Sequence, residues 1–464
     1  MATKKAKADA KAPEKKNAWL GYSEKVKKDV FKLNEGYKKF ISDCKTEREC
    51  VTETVRMAEA QGYVDLNTVI AENKTLKAGD KVYFNNMGKA LALFLIGSEP
   101  LEKGMKILGA HVDSPRIDLK QVPFYEDTEM ALMDTHYYGG IKKYQWTAIP
   151  LSLHGVVYRA DGSEVKICIG EDESEPVFYI TDLMPHIAKD QYAKTLAEGI
   201  TGEGLNLVAA SAPYDEEDGV KLNLLNILNE KYGITERDLI TAELTATPAT
   251  RSREVGLDRS MIMAYGHDDR ICAYPAYTAL FDLDVPEHTC IAAFADKEEI
   301  GSEGVTGLRS DFLPHFLMDL CANDNSDYIA CCANSICLSS DVGGAYDPNF
   351  GGAYDPKNSA YINNGPVIVK YTGSRGKGGC SDASAEVVSR IALMFDKAGV
   401  IWQCGEYGKV DQGGAGTVAT EVAALNIDVV DCGVPILSMH STGELASKGD
   451  IYMMYKADKA FYAS

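Results

Sequence analysis

A few short stretches of the chain concentrate side chains able to do chemistry. His111 closes the apolar run Lys106–Ala110, with Asp113 two residues on. Asp296-Lys297-Glu298-Glu299-Ile300-Gly301 follows the strand-like run Cys290–Ala295, and Ser339-Ser340-Asp341 follows Ser335–Leu338. His267-Asp268-Asp269-Arg270 precedes the helix-like Cys272–Leu280, and His440 follows a short apolar run among small and hydroxyl neighbours. Imidazole nitrogen with carboxylate oxygen suits divalent metal, above all zinc. A carboxylate shared by two cations lets several acids crowd together, because the metal charge offsets their repulsion. Two such ions polarise a carbonyl and lower the pKa of a bridging water. Glu298 and Glu299 then take different roles, one as ligand and one as general base. Successive side chains on extended backbone diverge, but in a turn both can line one cavity. Taken singly, each stretch also has a plain reading: a solvated Glu-Glu pair, a helix N-cap at Asp268-Asp269, a surface histidine.

The elements that must hold these residues are legible in outline. Val26, Val30, Leu33, Tyr37 and Phe40 recur at spacings of four and three, which predicts helix within residues 20–62. Val82–Phe84 and Leu91–Ile96 read as strands joined by an Asn85-Asn86-Met87-Gly88 turn. From about residue 120 to 250, short alternating segments (Trp146–Leu153, Gly155–Tyr158, Glu164–Ile169) predict a small β-rich domain, with a helix over Leu222–Tyr232. After residue 255, strand-like runs alternate with helices, clearest at Ala383–Ala398. That texture predicts a largely parallel sheet between helices. In such sheets, functional groups gather beyond the carboxyl ends of strands, where the stretches above fall.

Composition excludes other classes. The 464 residues hold 48 Lys+Arg and 68 Asp+Glu, a net charge of −20. Phosphate-backbone binding needs a positive face, and anionic membranes attract basic segments, so neither nucleic acid nor membrane is an expected partner. Residues 1–17 hold six Lys and two acids, so a +4 arm precedes a body of −24. The arm reads as disordered and carries no targeting pattern. The twelve Cys form no CxxC pair and mostly sit in apolar stretches. They read as reduced, buried residues of a cytoplasmic protein.

Gly109-Ala110-His111-Val112-Asp113-Ser114-Pro115, Asp296 to Glu303, and Leu437-Ser438-Met439-His440-Ser441 resemble the metal-binding motifs of peptidase family M18, in the family's order. Lys45-Thr46-Glu47-Arg48-Glu49, Tyr138-Gly139-Gly140, Pro185-His186-Ile187-Ala188, Gly365-Pro366-Val367-Ile368 and Gly416-Thr417 extend the likeness from about Trp19 to the C-terminus. The closer likeness is to the bacterial aminopeptidase 1 branch rather than to the eukaryotic aspartyl aminopeptidases. The resemblance implies an α/β fold: a three-layer catalytic domain with a mostly parallel sheet (residues 19–119 and 252–464), interrupted by a β-rich dimerisation domain (120–251). It implies a zinc metalloaminopeptidase with two ions per subunit, Mn and Co also suiting such ligands. The implied ligands are His111, Asp268, Glu299, Asp341 and His440. Asp268 would bridge, with Asp269 the alternative one residue on. Glu298 would be the general base, Asp113 would fix the tautomer of His111, and His186 would reach a neighbouring subunit's site. The implied assembly is a tetrahedral dodecamer built from dimers, acting on peptides.

Two positions depart from the eukaryotic pattern. Gly344 stands where those relatives carry His, and Gly443, followed by Glu444, where they carry Arg. Preference for an acidic N-terminal residue therefore does not transfer. Arg375 and Lys377 are candidates to meet a substrate carboxylate, or else cations of a solvated Gly-rich loop. The rival functions are a related dinuclear metallohydrolase (carboxypeptidase or amidohydrolase) and a catalytically silent assembly scaffold. The scaffold is disfavoured because every candidate ligand is present.

Overall fold

Apolar residues along the central strands alternate between two cores, and that alternation defines the layers. Leu91, Leu93 and Leu95 enter one core while Ala92 and Phe94 enter the other. Leu108 and Ala110 oppose Ile107, and Ile336 and Leu338 oppose Cys337. Period-two side chains on strands covered on both faces require this. The structure, a computed structural model, describes residues 16–216 and 219–464; most of the Lys-rich arm thus lies outside the described residues.

In spatial order the central sheet runs Val64–Asp65, Lys81–Asn86, Ala90–Leu95, Cys290–Ala295, Lys106–His111, Ile336–Ser339, Asp428–Gly433, Val367–Val369 and Gln403–Cys404. The four strands from Cys290–Ala295 to Asp428–Gly433 are mutually parallel. Helices Glu24–Asp43, Glu47–Ala60, His267–Phe281, Ala385–Ala398 and Lys448–Tyr462 contribute to one core, and Phe312–Asp324 and Tyr328–Asn334 to the other. The expected three-layer α/β architecture is present.

The β-rich region is a separate layer with its own core around Trp146, Phe124 and Leu207. Strands Ala242–Pro248, Arg116–Asp127, Met130–Tyr138, Leu207–Ala210, Phe178–Tyr179 and Pro150–Tyr158 pair in a ring that closes where Pro150–Tyr158 meets Ala242–Pro248, and Glu164–Ile169 adds to the ring's rim. Helix Val220–Tyr232 packs against it through Val220 and Leu224.

Several local expectations are corrected. Asn85 and Asn86 belong to the strand; the turn is Met87 to Lys89, with Met87 (φ 58°) and Gly88 (φ 70°) both left-handed. The runs Trp146–Leu153 and Gly155–Tyr158 form one strand, Pro150–Tyr158. Helix Lys448–Tyr462 escapes an amphipathic pattern because its polar residues Lys448, Asp450 and Asp458 are buried too. Of the cysteines, Cys168 and Cys404 are exposed and Cys380 partly so, while nine are buried as expected. Among the described residues, no helix is long and apolar enough to cross a membrane.

Candidate metal centre

Three adjacent parallel strands end at one edge of the sheet and deliver three of the stretches to one place. His111 ends the middle strand and pairs with Ala295 in the neighbouring one, so the Glu298–Ile300 turn lies beside it. On the other side Gly109 pairs with Ser339, two residues before Asp341. The small sheet supplies the rest: Ala264 pairs with Glu444, which places Asp268, four residues after one, near His440, four before the other. The Ser114 hydroxyl donates to the Asp268 carbonyl at 2.6 Å and fixes that loop against the His111 segment.

Asp268 lies between the two imidazoles. Its Oδ1 is 3.1 Å from His111 Nε2 and its Oδ2 is 3.1 Å from His440 Nε2. Glu299 Oε1 is 3.4 Å from His440 Nε2, and Asp341 Oδ1 is 4.0 Å from His111 Nε2. Three groups with all ligand atoms within 4.8 Å result: His111–Asp268–Asp341 and Asp268–Glu299–His440, which share Asp268, and His111–Glu298–Glu299. Glu298 lies 3.9 Å from His111 Nε2. Asp269 points elsewhere and accepts the His111 backbone N–H at 3.4 Å.

Asp113 organises the strand-end turns. His111 Nδ1 lies 3.0 Å from its carbonyl and 3.3 Å from its Oδ1. Its two oxygens accept the backbone N–H groups of Glu298 and Glu299, each at 3.2 Å, and the Tyr138 hydroxyl at 2.7 Å. Glu444, missed as a contributor by sequence reasoning, accepts the N–H of Asp268 at 3.0 Å and of His440 at 2.7 Å. Its one carboxylate ties together the loops that carry the shared aspartate and the last histidine. The local pattern around Glu444 gave no signal of this; the pairing of Ala264 with Glu444 would have.

The electrostatics show a site short of positive charge. Burial lifts Glu298 to about 7, with Asp113 and Asp268 adding to the rise. Burial, then the neighbouring acids, hold Glu299 and Asp341 well above the carboxylate range, and Glu444 rises to about 8. Burial opposes charge on His440, yet Asp268 and Glu299 raise it to about 10. Glu299 Oε1 is buried without a hydrogen-bond partner. Hard oxygen donors, two imidazoles and excess negative charge fit a pair of divalent cations.

A second group of ligand-type residues lies in the β-rich layer: Glu49, His154 and Cys168. His154 and Cys168 face each other across paired strands, and Glu49 comes from the first turn of helix Glu47–Ala60. His154 Nδ1 is 2.8 Å from Glu49 Oε1, and Nε2 is 3.1 Å from Glu171 Oε1.

Among the described residues, the remaining candidates fall outside the centre. His186 is exposed in the turn Pro185–Ile187 and joins none of the ligand groups. Lys377 is spent on Asp382, at 3.1 Å, and on the Tyr371 ring, 3.8 Å from its centroid, and Arg375 is exposed in the same loop.

Residues 40–462 match the model of the M18 family, described as aminopeptidase I zinc metalloprotease. The M18 family aminopeptidase 1 of Clostridium acetobutylicum is 50% identical over 455 residues, covering 97% of this chain and 98% of that one. The chain belongs to the M18 family. The Thermotoga maritima member is 42% identical over 451 residues, 96% of this chain and 98% of its own. A crystal structure of an M18-family aminopeptidase from Thermotoga maritima superposes with a TM-score of 0.92 at 41% identity, covering 97% and 99% of the two chains. That of aminopeptidase I from Clostridium acetobutylicum gives 0.92 at 48% identity, covering 98% and 100%. The clustered His, Asp and Glu side chains therefore form the architecture of a metal-dependent M18 aminopeptidase active site, with two ligand groups suited to a dinuclear centre.

Proposed function

We propose that this M18 enzyme removes N-terminal residues from peptides with two zinc ions, one held by His111, Asp268 and Asp341, the other by Asp268, Glu299 and His440. The observation that carries the reading is the shared carboxylate: Asp268 presents one oxygen to each imidazole, at 3.1 Å from His111 Nε2 and from His440 Nε2. Bound zinc supplies Lewis acidity for the peptide carbonyl and for water. Glu298 takes the proton of the attacking water and delivers it to the leaving amine, and burial keeps its carboxylate basic enough for that task. Asp113 holds His111 with Nε2 facing the ligand group.

The proposal extends to the assembly. Leu183, Met184, Ile187, Tyr192 and Leu196, all at least 45% exposed, flank His186. An apolar patch of this kind marks a contact surface, which supports pairing of the β-rich domain (120–251) between subunits, a His186 that serves the neighbour's site, and growth to a tetrahedral dodecamer. A cytoplasmic location accords with the reduced thiols.

Glu298→Gln tests the chemistry. It is expected to keep its metal and lose about 10²- to 10⁴-fold in turnover; near-normal activity in a metal-replete variant would sink the assignment. Cleavage of free but not N-acetylated peptides is expected of an aminopeptidase, and equal cleavage would point to another metallohydrolase.

A further inference from the structure

A segment of the β-rich layer contacts His440 of the metal centre directly and reaches His111 through Asp113. Strand Met130–Tyr138 ends at Tyr138, and the chain turns through Gly139 (φ 73°) and Gly140. The Tyr138 hydroxyl donates to Asp113 Oδ2 at 2.7 Å, and Asp113 Oδ1 lies 3.3 Å from His111 Nδ1. Two residues on, the Gly140 carbonyl is 2.8 Å from His440 Nδ1. Facing a carbonyl, that nitrogen donates its proton, which makes Nε2 the nitrogen that turns toward Asp268 and Glu299 and is available to a metal. Gly139 is pressed against the same centre: a Cβ there would lie 3.3 Å from Glu299 Cβ. The tyrosine ring is fixed in turn. The Arg116 guanidinium sits 4.0 Å from its centroid and pairs with Glu47 at 3.0 Å and Asp118 at 2.8 Å.

We propose that Tyr138 and the Gly140 carbonyl are the positioning groups through which the β-rich layer sets the ring orientation and tautomer of His111 and His440, so that metal affinity depends on how that layer is seated. The inference rests on the dinuclear reading above. An oxygen accepting the far N–H of a ligating imidazole fixes its tautomer and raises its basicity, and losing such a partner costs about 10- to 100-fold in metal affinity or activity. Without the Tyr138 hydroxyl, Asp113 keeps the two backbone N–H groups but loses the third of the donors that hold its carboxylate beside His111.

Full-length wild type, Tyr138→Phe and Gly140→Ala are compared by zinc titration against a competing chelator, with kcat and KM on an aminoacyl fluorogenic substrate and thermal unfolding of each. Tyr138→Phe retains the ring over Arg116. Gly140→Ala puts a methyl carbon 3.4 Å from His440 Nδ1, which nudges that ring. The wild type is expected to bind two ions. Tyr138→Phe is expected to weaken one of them about 10- to 100-fold, with a wild-type unfolding temperature in the metal-free protein, a lower kcat at limiting zinc, little change in KM, and rescue by excess zinc. Gly140→Ala is expected to weaken the other ion. Wild-type affinities and kcat in both variants would overturn the proposal, as would equal weakening of both ions by Tyr138→Phe. A wild type that takes up no zinc would instead count against the dinuclear reading itself.

Discussion

The groups around Asp268 and around His154 are built from the same parts: a buried imidazole, carboxylates within hydrogen-bond range, and at least three ligand atoms within 4.8 Å. They differ in charge. Around Asp268 the acids outnumber the imidazoles, and burial with mutual repulsion lifts Glu298, Glu299, Asp341 and Glu444. Around His154 the sign reverses. Burial opposes ionisation of Glu49 and Glu171, yet hydrogen bonds from His154 hold both below the usual carboxylate range. Burial likewise opposes the His154 charge, but Cys168, Glu171 and Glu49 raise it to about 11. Lys45, 3.9 Å from Glu171, completes the balance. The first group needs cations from outside, whereas the second already has its own. Ligand geometry nominates both, and the charge deficit selects one.

The largest break in this contrast is expected from Asp268→Asn. It weakens the one carboxylate common to both ligand groups, so both ions are lost and activity falls about 10³-fold, as for several kcal/mol of metal catalysis; metal analysis beside kcat/KM checks it. Chelation comes next. If folding binds metal, removing ions present at a thousandfold above their Kd costs about 4 kcal/mol per site, seen as a lower unfolding temperature that zinc restores. His154→Gln strands two partly buried carboxylates and is expected to cost about 2 kcal/mol, measured by denaturant unfolding, with metal content and turnover intact.

The smallest effect is on pH. Folding raises the His154 pKa from an ordinary ~6.5 to about 11. Its contribution is therefore full below about pH 6.5 and is lost as pH rises toward 11. The stability gap between wild type and His154→Gln should narrow by about 1 kcal/mol per unit from pH 7 to 9; a constant or widening gap would contradict the ion-pair account. Because Glu49 and Glu171 are lowered, their share is present above about pH 4.3 and is lost in acid.

Much of the fold was legible because the central strands are short apolar runs whose next residues are polar, as with Ala295 before Asp296 or Ser339 before Asp341. A parallel sheet places such ends together, so the motif residues could be named before their positions were known. What stayed hidden depends on registers across distant chain segments. Glu444 acts through the pairing of Ala264 with Glu444, and His154 meets Cys168 only once their strands are aligned. Tyr138 reaches Asp113 from another layer, which no local pattern encodes. His186 lies exposed on the surface of the single chain and joins none of the ligand groups, so no register within the chain gives it a role.

Metal stoichiometry by mass spectrometry of the purified chain and of His154→Gln tests the central claim most directly. Two ions per chain in both proteins is the expected result, since the Asp268 groups take the metal and the His154 group balances itself. A third ion in the wild type that disappears in His154→Gln would contradict the claim, and so would a wild type that holds none.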